Sequence, residues 1–481
     1  MKLYELLSGL QVLEMTADPQ QEISCVTSDS RRVQPGSLFV AVEGFAADGN
    51  RFIPMAMEKG AVAVITAKKP EQNIPYVLVN SDRLALATVG TNYYGHPAES
   101  MTMIGVTGTN GKTSTTWLLK QVLEQATGSK VGLVGTMANY IGQEELETDR
   151  TTPESIELQS LFARMRDAGC RYAVMEVSSH SLVLDRVAGI RFEVAAFSNL
   201  TRDHLDFHHT MEAYCDAKAM LFSRCNKAVV NADDTWAQRI VKDCAAPVLT
   251  TAVHGTAALK AENVQMLANC VRFDAVLGQQ RVAVEVPIPG KFTVYNVLCV
   301  LGIALQLGIS LEDSAAALRK VQGVKGRVEV VPTANRDYTI LIDYAHTPDG
   351  LENVLSSVRG FCKGRMIALF GCGGDRDRTK RPIMAGLGVR LADLAILTSD
   401  NPRTERPGAI LEDLVAGVGD AQNYVVIENR IEAIHYAMDI AKKDDIIVLA
   451  GKGHETYQEI MGVKHHLDER EVVAAYLMET E

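Results

Sequence analysis

GVTGTNGKT, residues 105–113, stands between the apolar run MTMI at 101–104 and a helix-forming stretch at 114–125. A glycine-rich turn lets backbone N–H groups approach phosphate oxygens and delivers them to the positive end of the following helix. Lys112 adds a point charge, and the Thr113 hydroxyl can ligate Mg²⁺. The strict P-loop spacing would require glycine at Val106, so this is a variant loop carried by Gly108, Gly111, Lys112 and Thr113. Strand, phosphate loop and helix in that order predict an α/β fold with a nucleotide at a strand end.

Working outward, 481 residues of which 47% are hydrophobic are enough for about three domains with separate cores. Lys+Arg 48 against Asp+Glu 59 gives a formal net charge of -11, which argues against a nucleic-acid binder and means that an anionic ligand must be met by placed groups. Nine scattered cysteines with no C-x-x-C pair suggest neither a disulfide framework nor zinc, in keeping with a reducing compartment. The first fifteen residues have the rhythm of a short amphipathic helix and lack the parts of a secretion signal. No stretch is long and apolar enough for a bilayer, so the expectation is a soluble, cytoplasmic monomer without membrane insertion.

Three blocks follow from the pattern of runs and turns: 1–98, 99–328 and 329–481. The first is a small α/β unit with β-like runs at 37–42 and 61–66 and a turn cluster at Asp48-Gly49-Asn50. In the second, apolar runs at 172–177, 194–197 and 228–230 alternate with helical patterns, which predicts a mostly parallel sheet covered on both faces. The third is a doubly wound, Rossmann-like βα series with runs at 339–342, 366–370, 394–397 and 446–449. Each run leads into a polar or glycine-rich segment (343–350, 371–381, 399–405 and 451–457), and such loops gather on one edge of a parallel sheet, where ligands bind.

In the middle block, MEVSSH at 175–180 places Glu176 at a strand end, where a carboxylate could hold the Mg²⁺ that bridges nucleotide phosphates. Another strand end offers Asp203, His204, Asp206 and His208, without zinc spacing. Lys218 follows Tyr214 by four residues on one helical face, a place where lysines usually only extend their charge to water.

Taken together, GVTGTNGKT, DRTTPES (149–155), MEVSSH, NLTRDHLDFH (199–208), AKAMLF (217–222), GKFTVYNVLCV (290–300), Gly326-Arg327, DYAHTP (343–348), DNPR (400–403) and GKGHE (451–455) resemble the Mur ligases, the cytoplasmic ATP-dependent amide ligases of peptidoglycan synthesis. Within that family, SDSR (28–31) and DNPR resemble the members that add the third residue to UDP-N-acetylmuramoyl-L-alanyl-D-glutamate, and DNPR suggests meso-diaminopimelate over L-lysine. Folylpolyglutamate synthetases and P-loop switches are more distant alternatives.

The resemblance implies three domains and a set of roles. Thr107, Gly108, Thr109, Asn110, Gly111, Lys112 and Thr113 would hold ATP, with Asn296 on the adenine and Arg327 and Asp343 on the phosphate and ribose ends. Thr113 and Glu176 would ligate one Mg²⁺. His204 and a carbamylated Lys218 would support a second, making Lys112, Lys218, Glu176 and His204 the catalytic set. Ser30, Thr151, Thr152, Ser178 and Arg186 would bind the UDP-muramoyl dipeptide. Arg381, Asp400, Asn401, Pro402, Arg403, Gly451 and Glu455 would bind diaminopimelate. Leu184 replaces a glutamine found in some relatives before the substrate-binding arginine.

Overall fold

The computed structural model describes residues 1–44, 48–148 and 150–480; Asp149 of the DRTTPES motif lies outside them. The chain forms two compact units, one of residues 1–259 and 298–314, the other of 260–297 and 315–481.

The first unit holds two sheets. In the smaller, the strands run Val12–Met15, Tyr76–Val79, Ala61–Thr66, Ser37–Ala41, Cys25–Thr27; all neighbours are parallel except the antiparallel edge Val12–Met15. The expected N-terminal helix is a single turn, Leu3–Leu6. Gly9 at φ +77° breaks its period, and the remainder of that stretch becomes the edge strand. The cluster at Asp48 is a 3₁₀ turn, Gly49–Phe52, whose Asn50 N–H is met by the Asp48 carboxylate.

The larger sheet has the parallel order Val248–Ala252, Cys225–Asn231, Phe192–Phe197, Thr102–Thr107, Tyr172–Glu176, Val131–Val134, followed by a short antiparallel hairpin, Asn139–Ile141 and Glu144–Leu146. Its inner strands are almost wholly apolar because helices cover both faces. Thr102–Thr107 runs through Gly105 and delivers the chain to the phosphate loop at the middle of the sheet. Gly105 is required there, since a Cβ would lie 2.9 Å from the Phe192 ring.

The second unit carries the antiparallel pair Val271–Leu277 and Gln280–Val286 and a six-stranded sheet. The order in that sheet is Glu329–Val331, Thr339–Asp343, Ile446–Ala450, Met366–Phe370, Leu394–Leu397, Tyr424–Val426, parallel after the antiparallel first strand. Separate apolar clusters lie on its two faces, one including Leu351, Leu355, Met384 and Leu414 from covering helices, the other Ile434, Met438 and Val473. The four strands that precede the polar segments are immediate neighbours, so those segments leave one edge side by side.

Candidate active site

Thr107 closes its strand by donating from Oγ1 to the Val177 carbonyl at 2.8 Å. Gly108 then turns at φ +148°, where a Cβ would overlap Ser198 Oγ. The loop is braced by the end of the adjacent strand: Thr109 N donates to Asn199 O at 2.8 Å, Asn110 N to Asn199 Oδ1 at 3.0 Å, and Ser198 Oγ to Asn110 O at 2.7 Å. Gly111 caps the helix Lys112–Thr127 at φ +83°, leaving the first-turn N–H groups without a side-chain cap. The half-buried Lys112 ammonium reaches back to the carbonyls of Gly108, at 3.0 Å, and Thr109, at 2.9 Å. Burial pulls its pKa below the ordinary lysine value, against the opposing effect of Glu176 and Asp203.

Glu176 ends the neighbouring strand with 1% of its surface exposed. Its carboxylate accepts from Thr113 Oγ1 at 3.0 Å, Thr136 N at 2.8 Å and Thr136 Oγ1 at 3.0 Å. A carboxylate joined to a hydroxyl beside a phosphate loop is a suitable donor set for Mg²⁺, which keeps waters and phosphate oxygens as its other ligands. Among the described residues no group of three or more His, Cys, Asp or Glu gathers as a protein-only metal site.

Lys218, on the helix Met211–Ala219, is 1% exposed and donates to Gly108 O at 2.9 Å, with its Nζ 4.5 Å from the Tyr214 ring centre. Desolvation, followed by the nearby Lys112 charge, drives its pKa well below the ordinary value. An ammonium there does not fit a cation site; a neutral amine that has taken up CO₂ would, because the carbamate presents oxygen donors and a negative charge. Tyr214 is within 3.2 Å of Thr109 Oγ1 through its hydroxyl, so the Lys218 helix is tied to the phosphate loop. His204 is the left-handed residue before the short helix Leu205–His208, at φ +51°, with Asp203 at 3.4 Å and the His180 ring at 4.9 Å. His208 is inside: it pairs with Ser179 Oγ at 2.9 Å, and burial, then His180 and Lys218, hold its pKa down at about 4.

The residues expected to bind the nucleotide-sugar peptide form a second group. Thr152 Oγ1 donates to the Glu176 carbonyl at 2.9 Å and lies 3.4 Å from Ser178 Oγ, while Ser178 caps the helix Ser179–Val183. Thr151 Oγ1 is 3.0 Å from Thr136 Oγ1, to which it can donate while Thr136 gives its own proton to Glu176. Arg186 bonds to Glu154 at 2.7 Å and to the Thr152 carbonyl at 3.1 Å. Ser30 is apart from these, buried after the strand Cys25–Thr27, with its carbonyl 3.1 Å from the Lys59 ammonium. Between the two sheets of this unit is a cleft of about 750 Å³ whose lining includes Thr27, Arg31, Arg32, Arg150 and Arg164. Glu147 and Glu157 also line it, and the four arginines are the groups that would meet a diphosphate there.

In the second unit, Asn296 is buried on the helix Lys291–Gln306, and Arg327 stacks over Tyr344 at 5.5 Å. Asp343 accepts from Val328 N at 2.8 Å and Ala345 N at 2.9 Å; burial raises its pKa against those bonds. The diaminopimelate candidates come from three of the four side-by-side loops. Asp400 accepts from Asn401 N at 2.6 Å through Oδ1, and its Oδ2 is buried without a partner. Gly451 passes beside it at φ +114°, and a Cβ there would lie 2.6 Å from Asp400 Oδ2. Asn401 Nδ2 donates to Glu455 Oε2 at 2.8 Å. Pro402 lies against Gly374, where a Cβ would strike the Pro402 carbonyl. Arg403 is 22% exposed, left-handed at φ +51°, donates to Gly374 O at 2.9 Å and has Glu459 at 3.4 Å. Arg381 has a wholly buried guanidinium paired with Glu405 at 2.7 Å and Asp413 at 2.8 Å, so its charge is spent on bracing the 371–381 and 399–405 loops.

Three side chains in these networks escape a reading of the sequence: Thr136, Asn199 and Lys452. Asn199 and Lys452 have a local signal, as members of NLTRDHLDFH and GKGHE, and Thr136 has none.

Three family models cover the chain in order: Mur ligase family, catalytic domain, on residues 22–93; Mur ligase middle domain, on 106–304; and Mur ligase, glutamate ligase domain, on 326–453. The chain belongs to the Mur ligase family. A curated relative from Clostridium acetobutylicum, UDP-N-acetylmuramoyl-L-alanyl-D-glutamate–2,6-diaminopimelate ligase 1, is 48% identical with all of both chains covered. A solved structure of a UDP-N-acetylmuramoyl-L-alanyl-D-glutamate–2,6-diaminopimelate ligase is 33% identical with a TM-score of 0.79, over 100% of this chain and 99% of that one. The MurF ligase of Thermotoga maritima, solved in complex with ADP, shares the fold at 18% identity and a TM-score of 0.60, over 96% of this chain and 99% of that one. In this Mur ligase the phosphate-loop strand lies inside its sheet, between Phe192–Phe197 and Tyr172–Glu176, with Glu176 and Lys218 brought to the loop from flanking elements.

Proposed function

We propose that this Mur ligase is the ATP-dependent enzyme that joins meso-diaminopimelate to UDP-N-acetylmuramoyl-L-alanyl-D-glutamate. The observation that carries the substrate assignment is full-length identity of 48% to a relative bearing that activity in its name. A carboxylate does not react with an amine at a useful rate, so ATP first converts the D-glutamyl carboxylate to an acyl phosphate, and the amine then expels phosphate. Lys112 and the loop N–H groups hold the phosphates of ATP. Thr113 and Glu176 are the residues that would hold Mg²⁺, with His204 and carbamylated Lys218 serving a second ion; bound Mg²⁺ neutralises the repulsion between phosphoryl group and carboxylate. Asn296, Arg327 and Asp343 serve the nucleoside end. Thr151, Thr152, Ser178 and Arg186 hold the peptide and sugar, with Ser30 toward the uridine. Arg403 receives the distal carboxylate of diaminopimelate, a bidentate match that lysine lacks.

The test is a ligation assay run side by side with meso-diaminopimelate and L-lysine, following ADP release. The expected result is ATP turnover only when both the UDP-muramoyl dipeptide and diaminopimelate are present. Turnover with L-lysine at equal efficiency would refute the substrate assignment, and rapid turnover with ATP alone would refute the ligase mechanism.

A further inference from the structure

Lys452 has no exposed surface, although lysine is among the residues least often buried. Its ammonium is 3.2 Å from Asn401 Oδ1 and 3.2 Å from Glu455 Oε2, and 5.5 Å from the centre of the Tyr457 ring. Asn401 Oδ1 also accepts from Glu459 N at 2.9 Å, which fixes the amide so that its Nδ2 faces Glu455. Glu455 Oε2 is thereby claimed twice, which leaves Oε1 outside both bonds on a side chain that is 15% exposed. Asp400 Oδ2, against which Gly451 passes, is buried without a hydrogen-bond partner among the described residues. An unmet buried acceptor is costly, and an incoming ammonium would satisfy it.

A purely structural lysine would be expected to tie the strands together, but another buried cation already does so. Arg430 pairs with Glu469 at 2.8 Å and donates to Ala450 O at 2.9 Å, with Ser399 O at 3.4 Å, the residues immediately before Gly451 and Asp400. Lys452 is spent instead on two side chains of the candidate amino-acid site. Its charge also offsets one of the two carboxylates, Asp400 and Glu455, that would otherwise crowd this edge with Arg403 engaged by Glu459.

We propose that Lys452 is a positioning residue for the incoming amino acid: its buried ammonium fixes Asn401 and Glu455 so that Glu455 Oε1 and Asp400 Oδ2 are presented to the ammonium of an amino-acid substrate. This rests on the assignment of the second unit's loops as the amino-acid site. Removing the ammonium leaves Asn401 held only through Glu459 N and Glu455, and leaves Glu455 without its counter-charge, so amino-acid affinity falls while the nucleotide sites are untouched.

Steady-state ligation by wild type, Lys452→Met and Lys452→Met/Glu455→Gln tests it, with the three substrates varied in turn. The wild type is first assayed with meso-diaminopimelate and L-lysine; if only L-lysine is joined, the diaminopimelate reading fails and the comparison proceeds with L-lysine. The expected result for Lys452→Met is a rise of at least tenfold in KM for the amino acid, with KM for ATP and for the UDP-muramoyl dipeptide within twofold and kcat within threefold. The double variant also removes the uncompensated carboxylate charge that the single variant leaves, which is the main cost of breaking such a pair. It is expected to show the same selective rise, no larger than the single variant's, because Glu455 is already displaced there. An amino-acid KM within twofold of wild type in a folded variant, or equal changes in all three KM values, would overturn the proposal.

Discussion

Gly108 has φ at +148°, a conformation that side-chain-bearing residues rarely adopt, with Ser198 Oγ in the space a Cβ would fill. Alanine must therefore displace Ser198, whose hydroxyl bonds to Asn110 O at 2.7 Å and braces the loop. The expected outcome for Gly108→Ala is a loss of about 1–3 kcal/mol of stability, and at least a tenfold fall in kcat/KM for ATP. Thermal melts and ATP titrations check it; a variant with wild-type values in both would show that the loop has room. Gly108, Lys112 and Thr113 were legible because phosphate cradling is a local property of a glycine-rich turn before a helix. Thr136 and Asn199 were not, since each matters through a bond to Glu176 or Asn110 that only sheet pairing creates. Lys452 was hidden for another reason: lysine in a polar loop is ordinarily a solvated side chain, and its burial depends on loops that come together only in the fold.

Among the elements, the four polar segments of the last sheet were legible as site loops because each follows a short, continuous apolar run, the mark of a buried parallel strand. The antiparallel pair Val271–Leu277 and Gln280–Val286 was not, its half-exposed alternation being weaker in sequence than a solid apolar run. The segments are locked to one another by charge. Glu405 on one accepts from Arg381 on the next, and that hydrogen bond, followed by one from Asp375 N, holds the Glu405 pKa down at about 2 against an ordinary 4.5. A carboxylate depressed in the folded state contributes stability that is complete above its unfolded value and is lost as pH falls through the folded one. The window here is therefore from about pH 4.5 to about pH 2. The difference in urea midpoint between wild type and Glu405→Gln should be largest near pH 6 and shrink across that window. A difference independent of pH would mean that the pair contributes through shape alone.

At the scale of the whole molecule, the division expected near residue 98 separates two sheets that belong to one compact unit. Helix Asp82–Tyr93 of the smaller sheet lies on helix Ser155–Asp167 of the larger, and Gly90 faces it closely, since a Cβ there would be 3.1 Å from Ile156 Cδ1. Around it, Arg166 donates to the Tyr94 carbonyl at 3.0 Å, and Arg83 and Glu154 are 3.6 Å apart. Sequence patterning could mark the turn before the phosphate-loop strand, but not this packing, because a glycine inside a helix reads first as a weak helix former. If the contact makes the sheets cooperative, a wedge placed on the smaller one must be felt by the larger. Both tryptophans, Trp117 and Trp236, lie in the larger-sheet region, so their fluorescence reports that part alone. Gly90→Leu should lower the stability read from tryptophan fluorescence by about 1–3 kcal/mol, the usual cost of overpacking, with the far-ultraviolet dichroism transition moving alongside it. An unmoved fluorescence transition, preceded by a separate loss of dichroism, would show instead that the smaller sheet unfolds on its own.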